Sequence, residues 1–407
     1  YLAQSNLGEQ LRQTGQPGAA AQVFAEILDG LEETPSYQRC LTLGLLGRCS
    51  KAQGQPGQAE QIYRQELEEL AQLEQSDGVQ RQTGSAWTDL ADVLRHQGEY
   101  SKAKEACQAS LDIKGEIDDV RGRAVVMGQL GTLAYMQGEL AEAEERYKEA
   151  LALFQRINEP AHEAIYTHQL GMVYQQEKQW KAAEQAYRQA ARLFENLGGG
   201  DGKIKAGASW DQLAQVCEST DRPAEAEQWY GKALAACRAA DDRPGIAITL
   251  NNLADLVAND PARLDEARDL AEEALAIWET LDPATAQLWK IYTVLADIAK
   301  QQGESHQSAA YRAKSRQAYF AFPGWRQQLE ENEEIIYAVV EASISPEMQD
   351  ELEAGLDELT EQGWDDLVAA IESILSGERD EAALCEPLDY EDAAVIRAIL
   401  EGIAGQG

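Results

Sequence analysis

Residues 136–143 read MQGELAEA, residues 52–59 read AQGQPGQA and residues 96–103 read HQGEYSKA. The same frame returns as QTGQPGAA at 13–20, EKQWKAA at 177–183, STDRPAEA at 219–226, NDPARLDEA at 259–267 and QQGESHQS at 301–308. Its last residues are Ala20, Ala59, Ala103, Ala143, Ala183, Ala226, Ala267 and Ser308, in steps of 39, 44, 40, 40, 43, 41 and 41. A fixed period of this size marks a stack of supersecondary units, none of which buries its apolar face alone.

Each unit has the same parts. An apolar pair lies twelve or thirteen residues before the alanine: Leu7–Gly8, Leu46–Gly47, Leu90–Ala91, Leu130–Gly131, Leu170–Gly171, Leu213–Ala214, Leu253–Ala254 and Leu295–Ala296. These pairs place a first helix, which stops where Gly15, Gly54, Gly98, Gly138 or Gly303 allows the left-handed conformation. In two units Lys178 and Asp221 stand at that place, at a cost of up to about 1 kcal/mol each if the geometry is kept. A second helix follows, with its alanine one turn in and Phe24, Tyr63, Tyr147, Tyr187 or Tyr230 four positions later on the same face.

The order Leu-Gly, Gly, Ala, aromatic resembles the tetratricopeptide repeat over about residues 1 to 320. The longer period is similar to that of kinesin light chains and bacterial signal-transduction regulators, and Leu250-Asn251-Asn252-Leu253-Ala254 resembles the kinesin light chain type. The resemblance implies an all-α, right-handed superhelix of about eight helix-turn-helix repeats over residues 1–325, its concave wall lined by the first helix of each unit. It also implies a non-enzymatic scaffold or sensor that captures a protein or peptide in that groove.

The pattern lapses after Ser315, and Phe320-Ala321-Phe322-Pro323-Gly324-Trp325 reads as an apolar plug on the last repeat. Residues 326–407 form a separate acidic helical module. A long helix is expected near 326–342, a second started by Ser345-Pro346 and ended by Gly363, a third over 365–376, a short one at Ala382–Cys385 and a last one started by Asp389. The glycine run 198–202 reads as a mobile linker.

The whole chain of 407 residues carries 35 Lys and Arg against 71 Asp and Glu, a formal charge of −36. The last 82 residues hold 3 of the cations and 23 of the acids, so −20 of the excess lies there. Such a surface repels phosphate and anionic lipid, which disfavours nucleic acid and membranes as direct ligands. Six scattered cysteines, no long apolar run and no charged-then-apolar leader point to a soluble cytoplasmic protein. Tyr1 in place of Met suggests a processed chain or a fragment, with a covalently linked N-terminal domain before it.

No catalytic, cofactor or metal motif emerges. His162 and His168 are six apart and face different directions, Ile204 stands where a phosphate loop after Lys203 needs Ser or Thr, and no nucleophile elbow occurs. The chain reads as no enzyme, without cofactor or metal. The candidate partner-binding residues are those the resemblance places on the inner wall. Asn6, Asp89, Gln129, Gln169, Gln212 and Asn252 precede the apolar pair, and most are amides able to donate to and accept from a peptide backbone. Met172 follows the pair. Arg12, Arg48, Lys51, Arg95 and His96 make the first three units basic, Tyr135 and His168 soften the middle, and Asp211, Glu218 and Asp255 make units six and seven acidic. Two other readings are a C-terminal sensor of a larger bacterial signalling or defence protein, linked to an NTPase or effector, and an acidic mimic of nucleic acid.

Overall fold

The computed structural model describes residues 2–281, 287–322, 325–345 and 348–405. Among these residues all regular secondary structure is helical. Packing divides the chain into two compact units, residues 1–202 and 203–407.

The first unit holds five helical hairpins. These are α1 (Leu2–Gln13) with α2 (Pro17–Asp29), α3 (Tyr37–Ala52) with α4 (Pro56–Leu70), α5 (Asp77–His96) with α6 (Tyr100–Glu116), α7 (Val120–Met136) with α8 (Leu140–Arg156), and α9 (Pro160–Gln176) with α10 (Trp180–Leu197). The second holds three more: α11 (Gly199–Glu218), whose first turn precedes the division, with α12 (Pro223–Ala240), α13 (Arg243–Ala258) with α14 (Leu264–Trp278), and α15 (Leu288–Gln301) with α16 (Ser305–Ala321).

Small residues set the hairpin geometry. A Cβ added at Gly47 would lie 2.6 Å from the Tyr63 ring, and at Gly131 or Gly171 it would lie 2.7 Å from Tyr147 or Tyr187. The glycine of the apolar pair is therefore the seat of the aromatic on the second helix, while Ala59, Ala143 and Ala183 are wholly buried one turn earlier. Lys178 and Asp221 keep the left-handed turn, with φ of +58° and +56°. Several first helices start on a side-chain cap: Ser36 accepts from the Arg39 amide, Ser76 from Val79, Asp119 from Gly122 and Asp242 from Gly245.

After α16 come a 3-10 segment (Trp325–Asn332), α17 (Glu333–Ile344), α18 (Gln349–Glu361), α19 (Asp365–Leu375), α20 (Glu381–Cys385) and α21 (Tyr390–Gly405). They share one core with the last hairpin, in which Trp289 and Tyr319 pack among Val339, Ile371 and Ile396. Arg312 and Arg316 add hydrogen bonds of 2.9 Å each to the carbonyls of Pro387 and Leu388. Phe320, Phe322 and Trp325 pack into this core as the plug reading requires, while Pro323 and Gly324 lie outside the described residues.

Two expectations change. The glycine run is not a linker: α11 begins at Gly199, and a Cβ on Gly202 would lie 2.7 Å from the Phe194 carbonyl oxygen, so glycine there permits a close backbone approach. The long helix near 326–342 is broken at Asn332, where the 3-10 segment gives way to α17. Of the expected Ser345-Pro346 start, Pro346 lies outside the described residues.

Candidate functional site

The helical period brings equivalent positions of successive first helices side by side, and side chains 41 residues apart bond across that gap. In the first unit two of these rungs are ionic. Arg48 Nε lies 2.8 Å from Asp89 Oδ2, and Lys51 Nζ lies 2.8 Å from Asp92 Oδ2. Arg95 meets the same Asp92 at 2.7 Å and points its other nitrogen at Met136 Sδ, 3.8 Å away. His96, exposed, packs beside Arg95 and the Asp92 carbonyl. Arg12 pairs with Glu9 on its own helix at 2.6 Å. The basic end expected of units one to three is thus salt-bridged to carboxylates of the same face.

Other candidate residues of this unit are placed differently. Gln129 donates to the Thr88 carbonyl at 3.3 Å, a neutral rung at the same spacing. His168 packs against the Tyr187 ring at 5.2 Å, and burial lowers its pKa to about 4, which keeps it neutral. Tyr135, Gln169 and Met172 are half-buried, and Asn6 is exposed on α1.

In the second unit the rung changes character. Asp211, 6% exposed, accepts from Asn252 Nδ2 at 3.2 Å and from Gln215 Nε2 at 2.9 Å. Burial pushes its carboxyl up to about 6, although the hydrogen bonds from Asn252, Thr249 and Gln215 pull it down. No cation lies within ion-pair distance of it among the described residues. Glu218 is also raised, first by desolvation and then by the charges of Asp255 and Asp211. Asp255 is raised by desolvation and then by Asp297.

Asp211 opens on a cavity of about 310 Å³. Gln212 and Gln215 of α11 and Asn251 and Asn252 of α13 supply its polar wall, Ile248, Ile291 and Trp278 supply apolar surface, and Lys290 also lines it, outside ion-pair distance of Asp211. Asn251 Oδ1 is buried and accepts no hydrogen bond among the described residues. The cavity therefore combines a desolvated carboxyl, amides of both hydrogen-bonding senses and an unused acceptor.

The wall positions named from the sequence reach Gln212 and Asn252 but miss Ile248 and Lys290. Both lie four residues before the expected row, at Asn252 and Val294, one helical turn toward the N-terminus. Among the described residues no group of three or more His, Cys, Asp or Glu is placed to hold a metal ion, and no helix is long and apolar enough to cross a membrane.

Comparison with known proteins follows the same architecture. Tetratricopeptide repeat models match residues 42–77, 82–156, 123–196, 161–237 and 205–280. No curated protein matches the chain. Among solved structures, the apo form of RapI is similar at 16% identity and a TM-score of 0.54 over 69% of this chain and 97% of its own. The apo form of the quorum sensor NprR from B. thuringiensis is similar at 14% identity and a TM-score of 0.58 over 78% and 86%. A signal transduction ATPase with a tetratricopeptide repeat sensor, PH0952 from Pyrococcus horikoshii, is similar at 15% identity and 0.59 over 77% of this chain and 46% of that protein. At such identities the likeness is one of fold. Repeat matches through most of the helical array, joined to hairpins stacked at the expected period, make the chain a member of the tetratricopeptide repeat family.

Proposed function

We propose that this protein is a non-enzymatic scaffold or sensor that captures a protein or peptide along the first helices of its repeats. Tetratricopeptide arrays typically mediate protein or peptide binding, and NprR, similar in fold, is a quorum sensor. The observation that carries the reading is the cavity around Asp211. A carboxylate held there by the neutral donors Asn252, Gln215 and Thr249 has lost its hydration without an ion-pair partner among the described residues, so a cationic group entering the cavity supplies what the fold withholds. The amides of Gln212, Gln215 and Asn251 suit the backbone of an extended segment, and Ile248, Ile291 and Trp278 suit one apolar side chain.

The ligand class that follows is a peptide segment with a lysine, an arginine or a free amino terminus next to an apolar residue. In the first unit the paired charges of Arg48, Lys51 and Arg95 offer a less demanding surface that favours register over affinity. Panning a random peptide display library against the full chain and against Asp211→Asn tests the reading. Enrichment of basic peptides by the parent, with affinity at least about tenfold weaker in the variant, is expected of a desolvated charge pair. A library that enriches nothing, or peptides indifferent to the substitution, rejects it.

A further inference from the structure

The C-terminal helices carry a second surface that the repeat groove does not explain. Helices α17 and α18 leave between them an open groove of about 480 Å³. Its floor is apolar: Ile335 and Ala338 come from α17, Met348 from the residue before α18, and Leu352 and Leu359 from α18 itself. Gly355 also lines it, and a Cβ built there would meet nothing within 4 Å among the described residues. A floor about two helical turns long fits one face of an amphipathic helix, whose anchors recur at three- and four-residue intervals.

Charge selects the occupant. Glu334 and Glu358 line the groove, and among the described residues neither has a cation partner. The three cations of the module are engaged elsewhere. Arg326 pairs with Glu401 at 2.9 Å, Arg397 pairs with Glu381 at 2.9 Å and lies over the Phe320 ring, and Arg379 donates to the Ile374 carbonyl. With 23 acids against those 3 bases, the module repels a second copy of itself and any anionic surface. We propose that this groove docks a basic amphipathic helix of a partner protein, its apolar stripe on the floor and its Lys or Arg flanks against Glu334 and Glu358. The proposal is independent of the repeat groove, since it uses none of its residues.

The test is fluorescence anisotropy of the full chain with three synthetic peptides. One is a helix with a leucine stripe flanked by lysines, one replaces the lysines by glutamates, and one scrambles the leucine-lysine sequence so that no stripe forms. Binding of the lysine helix is expected, with the glutamate helix not bound and the scrambled peptide at least about tenfold weaker. Gly355→Trp, which fills the groove without displacing an atom at its Cβ, is expected to cost at least about tenfold in affinity while the thermal melt is unchanged. Glu334→Lys with Glu358→Lys is expected to weaken the lysine helix and reduce the salt dependence of its binding. Equal binding of the scrambled peptide, or of the lysine helix to Gly355→Trp, overturns the proposal. So does loss of binding in Asp211→Asn, which would move the site to the repeats, or a dimer in light scattering that Gly355→Trp abolishes, which would make a second copy the occupant.

Discussion

The first helices of the two units are built to the same plan, bonded across the same 41-residue offset, yet they end in opposite electrostatic states. In the first unit Arg48 meets Asp89 and Lys51 meets Asp92, so charge is closed within the wall. In the second, Asn252 meets Asp211, and an amide cannot neutralise a carboxylate. A rung of the first kind holds neighbouring helices in register with little residual demand for a ligand. A rung of the second kind leaves a buried acid whose ionised form gains from any cation that reaches it. On the proposed function, the array marks its binding site by where a rung is left without a counter-charge, not by where charged residues are most numerous.

The largest effect is expected from making the second unit resemble the first. Asn252→Lys places an ammonium opposite Asp211 at the standard offset, closes the rung and should weaken a basic peptide ligand by at least about tenfold, measured by calorimetry. Binding at parental affinity would mean that the open carboxylate is not what the ligand uses.

A second variant probes whether buried acids in the first unit act on stability alone. Glu66 is fully buried, accepts from Gln82 at 2.5 Å, and has a second oxygen without a hydrogen-bond partner among the described residues. Burial raises its pKa from 4.5 to about 8, so the folded state binds its proton more tightly than the unfolded chain does. The stability this proton contributes is fully present below 4.5, the unfolded value, and falls as pH rises toward 8. Glu66→Gln should flatten the denaturation free energy across that window, and an unchanged slope would show that another group carries it. The smallest effect is expected from the ionic rung itself. A double-mutant cycle on Arg48→Ala and Asp89→Ala should return a coupling of about 0–1 kcal/mol, because the Arg48 side chain is 38% exposed. A coupling of several kcal/mol would mean that these rungs are structural keystones and that the contrast between units is not one of binding.

The fold was legible because the period survives substitution. Lys178 and Asp221 occupy the turn where glycine was expected, and both keep positive φ, since the hairpin around them over-determines the backbone. The glycine run at 198–202 misled because local propensity speaks against a helix there, whereas the close approach of Gly202 to the Phe194 carbonyl is a tertiary demand that propensity does not register. For the site, the sequence placed Arg48 and Asp89 in the inner rows without coupling them, although their separation is one repeat. His168 shows the remaining limit. Spacing put it among the expected wall residues, but its contact with Tyr187 and its neutrality depend on how closely α10 packs on α9 within the same hairpin.

The central claim, that Asp211 is the anchor of a ligand site, is tested most directly by the pH dependence of peptide binding. For a basic peptide enriched by the parent, calorimetric affinity should rise as pH increases through about 6, where the Asp211 carboxyl ionises, and the rise should vanish in Asp211→Asn. An affinity that is flat through that range in the parent, or a rise that persists in the variant, would contradict the account.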